Sequence, residues 1–168
     1  MGERAPGTGM EPRGPGDSGV ADAEFMRGAL AEGRTAEGRT GDNPAVGCVI
    51  VHGGRVVAKG HTQSPGGGHA EAWAIRAAEQ AGFAVADCDL YVTLEPCSFQ
   101  GRTPPCSRLI LEKRPRRVVV GARDPHPRVR GSGIAELRGA GIEVVEGVLA
   151  DEVRRALADW FSRWPDLP

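Results

Sequence analysis

Four residues constrain this chain more than anything else in its sequence: His69, Glu71, Cys97 and Cys106. His69-Ala70-Glu71 is followed after 25 residues by Cys97, within Leu94-Glu95-Pro96-Cys97, and after eight more by Cys106. One imidazole and two thiols are the ligand count of a zinc site whose fourth tetrahedral position stays open. Any fold that uses them must bring three separate segments to one point, with the Glu71 carboxylate beside it.

The pattern around those residues shows how. The runs Ala45 to Val51 and Arg55 to Lys59, on either side of His52-Gly53-Gly54, read as the strands of a hairpin. The loop Gly60 to Gly68 leads to His69, from which Ala70, Ala74, Ala77, Ala78 and Ala81 repeat at helical spacing up to Gly82. Leu90 to Leu94 is a strand that Pro96-Cys97 breaks. Pro104-Pro105 suit the first turn of a helix carrying Leu109, Ile110 and Leu111 and ending near Arg114-Pro115. Strand Arg117 to Gly121, loop Ala122 to Gly133, short helix Ile134 to Arg138 and strand Ile142 to Val145 follow. One amphipathic helix, Asp151 to Trp164, closes the pattern, and its Trp160, Phe161 and Trp164 read as a stripe docking on the core.

Upstream, residues 1–19 are rich in Gly and Pro and are expected to be a disordered tail. A helix is expected from about Ala21 to Glu32, then a loop made by the tandem pentad Ala31-Glu32-Gly33-Arg34-Thr35 and Ala36-Glu37-Gly38-Arg39-Thr40. The order of elements predicts one α/β domain over 20–168, with a mixed, mostly parallel central sheet and helices on both faces. In such sheets, sites gather where strand ends meet helix starts. His69 and Cys106 both fall in a first helical turn, where the dipole favours the thiolate that binds metal.

Composition removes several function classes. With 21 basic and 22 acidic residues the net charge is −1, and no long block of one sign marks a nucleic-acid groove or an anionic membrane surface. A small anionic substrate needs one or two arginines and stays open. No apolar run approaches a membrane span, and no signal-peptide core is seen, so the expected location is the cytoplasm. Four cysteines in such a chain point to metal binding or catalysis rather than disulfides. Cys48 lies in a buried-strand pattern and reads as a small packed hydrophobe, and Cys88 is given no role.

A zinc held by His69, Cys97 and Cys106 would supply water ionised near neutral pH. Glu71 would carry the proton of that water to a ring nitrogen and then to a departing exocyclic amine, which is hydrolytic deamination. His-x-Glu and Pro-Cys match the signature of zinc nucleobase deaminases, although that signature closes with Cys-x-x-Cys and this chain does not. A structural zinc would be closed by a fourth ligand, for which His61 is the nearby candidate. Such a site has no use for a carboxylate beside the ligands.

The stretches Asn43-Pro44-Ala45-Val46-Gly47-Cys48-Val49-Ile50-Val51, His69-Ala70-Glu71, Tyr91-Val92-Thr93-Leu94-Glu95-Pro96-Cys97-Ser98, Gly101-Arg102-Thr103-Pro104-Pro105-Cys106, Asp124-Pro125-His126-Pro127 and Gly139-Ala140-Gly141-Ile142-Glu143-Val144 resemble the deaminase domain of the bifunctional riboflavin-biosynthesis deaminase/reductase family. The resemblance implies a three-layer α/β/α, cytidine-deaminase-like fold, zinc on His69, Cys97 and Cys106, and Glu71 as proton shuttle. It implies as substrate 2,5-diamino-6-ribosylamino-4(3H)-pyrimidinone 5′-phosphate, which loses its 2-amino group. Asn43 is expected at the base, Arg102 at the phosphate and Asp124 at the ribose, with His61 and His126 as further substrate residues.

Departures from the family pattern fall on the substrate side: Asp42, the loop Gly66 to Gly68, Phe99 and His126. They leave a second reading, the same chemistry on another heterocycle, and a third, an inactive zinc-binding scaffold. The reductase half is absent from the pattern, so a nicotinamide cofactor is not expected, and a homodimer is an expectation from the family alone.

Overall fold

The computed structural model describes residues 15–165. The apolar, β-branched run after Val46 forms β1 (Gly47–His52), buried as far as Val51. Gly53 and Gly54 then take φ of 57° and 79°. Two successive positive φ values make the hairpin turn whose twist suits the flanking strands. β2 (Arg55–His61) accordingly returns antiparallel to β1. β3 (Asp89–Leu94), buried along its whole length, pairs antiparallel with the other side of β1. β4 (Arg117–Ala122) and β5 (Glu143–Glu146) add in parallel, giving the order β2-β1-β3-β4-β5. Four strands point one way and β1 runs against them, the mixed and mostly parallel sheet that the sequence predicts.

Helices cover both faces. Helix α1 (Pro15–Arg34) packs Met26 and Ala29 against Val49, Val51, Tyr91 and Val119. On the opposite face α2 (Ala70–Gln80) sets Ala70, Ala74, Ile75 and Ala78 against Cys48, Ile50, Leu90 and Val92. Helices α3 (Cys106–Lys113) and α4 (Ser132–Gly139) extend that layer through Ile110, Ile134 and Leu137. Helix α5 (Ala150–Ala156) lies with α1 over β4, and the short α6 (Ala158–Phe161) follows it. Cys48 is fully buried in the strand, as its surroundings in the sequence predict.

Three expectations are corrected. Helix α1 starts at Pro15 rather than near Ala21, so residues 15–19 of the expected tail are helical, while 1–14 lie outside the described residues. The first pentad is not wholly a loop, because α1 continues through Arg34 before backbone turns take over. The helix expected over Asp151 to Trp164 is two helices, since the backbone leaves helical geometry at Leu157 (φ −109°, ψ 30°). Leu157 is buried there, and beyond the break Trp160 turns its indole N–H to Asp124.

Candidate active site

His69 caps the N-terminus of α2 with extended backbone (φ −94°, ψ 165°), and its side chain makes no capping bond. Its ring is therefore available to the neighbouring segments. Cys97 lies just past the end of β3, and Cys106 is the first residue of α3, preceded by Pro105 at the cap. The two cysteine segments are tied together: Ser107 N–H donates to the Cys97 carbonyl at 3.0 Å, and Cys106 N–H donates to Cys97 Sγ at 3.3 Å. His69 Nδ1 stands 3.5 Å from Cys97 Sγ and 3.3 Å from Cys106 Sγ. Around a tetrahedral zinc with bonds of about 2.1 and 2.3 Å, nitrogen and sulfur ligands stand roughly 3.6 Å apart, close to both distances.

The three ligand atoms lie within 4.8 Å of one another, and among the described residues no fourth His, Cys or carboxylate joins them. The chain thus fits a three-ligand zinc, with Nδ1 of His69 as the nitrogen donor. Cys97 is lowered to about 4, first by the hydrogen bond from Cys106 and also by the one from His69. Cys106 is pushed up by that shared bond and by burial. His69 is raised to about 9, chiefly by its bond to Cys97.

Glu71, only 3% exposed, stands in the first turn of α2. Burial raises its carboxyl above the ordinary value, against the opposing pull of nearby His69. A carboxyl so placed takes up and releases protons more readily near neutrality than an exposed one.

His69, Glu71 and Cys97 open onto a cavity of about 320 Å³. Asn43, Arg102, Asp124 and His126, four of the five expected substrate residues, line it. Arg102 is exposed and has no hydrogen-bond or ion-pair partner among the described residues. His61 is not part of the lining: its Nδ1 lies 2.8 Å from Glu32 Oε1, which ties β2 to α1. The expectation that His61 touches substrate, and its candidacy as a fourth zinc ligand, are both corrected. The ring is engaged on the α1 side of the strand end.

Sequence reasoning missed two residues. Trp160, read as a core stripe, lines the cavity and donates to Asp124 Oδ1 at 2.9 Å. Glu95, quoted without a role, is buried and accepts three backbone N–H groups. Those of Asp124 and Gly131 reach Oε2 at 3.1 and 2.9 Å, and that of Ile134 reaches Oε1 at 3.2 Å. One carboxylate thereby fixes the β4–α4 loop, which bears Asp124 and His126, two residues from a zinc-ligand position. Gly133 lets α4 approach, because a Cβ there would collide with the Pro96 carbonyl oxygen. An acidic residue directly after the run Leu90-Tyr91-Val92-Thr93-Leu94 was the available signal for Glu95.

The family model of the cytidine and deoxycytidylate deaminase zinc-binding region matches residues 20–122. The riboflavin biosynthesis protein RibD of Actinobacillus pleuropneumoniae is 45% identical over 119 residues, covering 71% of this chain and 31% of that protein. The chloroplastic riboflavin biosynthesis protein PYRD of Zea mays is 46% identical over 117 residues, 70% of this chain and 29% of the relative. This chain therefore spans about a third of the length of these curated relatives. Among solved structures, the diaminohydroxyphosphoribosylaminopyrimidine deaminase/5-amino-6-(5-phosphoribosylamino)uracil reductase of Thermotoga maritima superposes with a TM-score of 0.82 at 40% identity, over 88% of this chain and 42% of that one. The matched region runs through His69, Glu71, Cys97 and Cys106, and the chain belongs to the cytidine and deoxycytidylate deaminase family.

Proposed function

We propose that this chain is a zinc-dependent hydrolytic deaminase of an aminopyrimidine ribotide, and that its substrate is 2,5-diamino-6-ribosylamino-4(3H)-pyrimidinone 5′-phosphate. The observation that carries the reading is Glu71, a buried carboxyl beside a three-ligand group at the wall of a ring-sized cavity. The relatives named for riboflavin biosynthesis support the choice of substrate.

His69, Cys97 and Cys106 would hold the zinc. When bound there, zinc supplies Lewis acidity and water ionised near neutral pH. Glu71 accepts the proton of the attacking water at its carboxylate and delivers it to the ring nitrogen. Once the carbon–oxygen bond has formed, the same carboxylate takes the remaining proton from the new hydroxyl group and hands it to the amine, so that the carbon–nitrogen bond breaks, ammonia leaves and a carbonyl remains. Asn43 would hold the base, Asp124 and His126 the sugar side, and Arg102, a cation without a partner among the described residues, the phosphate. Burial of Glu71 keeps its proton traffic away from bulk water.

The test is ammonia release from the ribotide by the zinc-loaded protein, against a panel of aminopyrimidines and purines. Release from another ring and not from the ribotide would refute the substrate. That second reading is favoured by the ring stack Phe99–His126 in the cavity wall, with centroids 5.4 Å apart and planes 23° apart.

A further inference from the structure

Trp160 enters the cavity from α6, 36 residues beyond Asp124 in the chain. Two donors converge on Asp124 Oδ1: the Trp160 indole Nε1–H and the His126 backbone N–H, each at 2.9 Å. Both hold the carboxylate by one oxygen, and Oδ2 is left without a protein partner among the described residues. The His126 ring is fixed as well. Its Nδ1 accepts the Arg128 backbone N–H at 3.1 Å, so the neutral ring carries its proton on Nε2.

That ring lies nearly parallel to Trp160, 6.1 Å away with planes 12° apart, with Phe99 stacked on it as well and Trp164 edge-on at 5.0 Å. Trp160 thus touches both residues, Asp124 by hydrogen bond and His126 by stacking, and all three line the cavity. An indole in a purely packing role needs only some partner for its N–H. This one spends it on a buried carboxylate in the wall of the cavity.

We infer that Trp160 is a positioning residue for substrate recognition. It holds Asp124 and His126 in the cavity wall, with Oδ2 as an acceptor and Nε2–H as a donor for the hydroxyl groups of a sugar attached to the heterocycle. The inference rests on reading this cavity as the deaminase site.

The test is steady-state kinetics of the zinc-loaded protein on the ribotide. Trp160→Phe keeps a ring in the stack and removes the N–H. KM should rise on the order of tenfold, the effect of one lost hydrogen bond to a charged acceptor. The value of kcat should stay within about threefold and zinc content should not change. Asp124→Ala removes the group through which Trp160 acts, so adding Trp160→Phe to it should move KM less than about twofold, since effects on one shared partner are not additive. Trp164→Phe removes a neighbouring indole N–H that does not reach Asp124, and should leave KM within about twofold.

An unchanged KM in Trp160→Phe, a loss confined to kcat, an equal rise in Trp164→Phe, or the full increment retained in the Asp124→Ala background would each overturn the assignment. Absence of ammonia release from the ribotide by the wild-type chain would strike the deaminase reading instead, before any variant is made.

Discussion

The two ends of the sheet treat buried charge in opposite ways. Where β3 and β4 begin, Arg117 donates to both carboxylate oxygens of Asp22, at 2.6 and 3.1 Å, and to Asp89 at 3.3 Å. The Tyr91 hydroxyl donates to Asp22 at 2.6 Å, and Arg116 closes on Asp89 at 3.1 Å. Each charge there meets its opposite, and the network fastens α1 to the sheet. Where the same strands end, His69, Cys97 and Cys106 crowd their donor atoms together, Glu71 is buried beside them, and Arg102 has no hydrogen-bond or ion-pair partner among the described residues. Asp22 and Glu71 are 5% and 3% exposed, so burial does not distinguish them. What differs is how the charge is met: Asp22 lies against a guanidinium, whereas Glu71 is in no ion pair with an arginine or lysine among the described residues and lies beside the crowded donor atoms of His69 and the two cysteines. A buried charge is costly unless paired, and such a crowded set at the carboxyl ends of strands is where a ligand is expected.

The contrast can be broken from either side. The largest effect is expected at the open end: Glu71→Gln should lower ammonia release about a thousandfold or more, the scale of general acid–base catalysis. Zinc content by metal analysis should be unchanged, because Glu71 is outside the ligand group. Retained turnover would mean that another group carries the proton. At the closed end the expected loss is of stability. Arg117→Ala leaves the Asp22 and Asp89 carboxylates without their shared cation and should cost about 3 kcal/mol, roughly 6–12 °C in Tm for a chain of this size. The value of kcat/KM should hold within about twofold. A large kinetic effect of Arg117→Ala would show that the two ends are coupled and that the division between them is false.

Much of the open end is legible in the sequence because its ligands sit where elements start and stop. Pro105 announces α3, so the first-turn placement of Cys106 follows from the chain itself, and alanine spacing does the same for His69. The hairpin, the parallel strands and the layers follow from period and punctuation. What escapes is long-range and carried by single side chains. The helical periodicity of Asp151 to Trp164 cannot reveal the break at Leu157, and so it cannot reveal that Trp160 turns towards Asp124. His61 belongs to α1 through Glu32, a partner 29 residues away. Asp22 meets Arg117 across 95 residues, and no local pattern encodes such pairs.

Glu95 lies between the two extremes, a buried carboxylate saturated by three N–H groups yet placed at the open end. Glu95→Gln puts an amide donor where one oxygen accepted, so at least one of the N–H groups of Asp124, Gly131 and Ile134 loses its partner. The expected result is about 2 kcal/mol of lost stability and a KM raised on the order of tenfold as the loop bearing Asp124 and His126 loosens, with zinc retained. Loss of zinc along with KM would place Glu95 in the support of Cys97 rather than of the loop.

The smallest effect concerns the glycine-rich loop before His69. Gly66 and Gly68 line the cavity, and the loop is held by two bonds of its own, Gly67 N–H to the Ser64 carbonyl at 2.8 Å and Gln63 N–H to the Gly68 carbonyl at 3.1 Å. Trp73 adds one from outside, its Nε1–H donating to the Gly67 carbonyl at 2.8 Å, although the residue is 38% exposed. Trp73→Phe removes that bond and keeps a ring beneath Arg76. An exposed neutral hydrogen bond contributes about 0.5–1 kcal/mol, so KM should rise roughly two- to fivefold and Tm should scarcely move. If KM is unchanged, the loop is set by its own turn bonds and this side of the cavity is preformed, as rigid as the network at the far end. If KM rises well beyond that range, the loop depends on a single indole at the surface, and the open end of the sheet is the softer of the two.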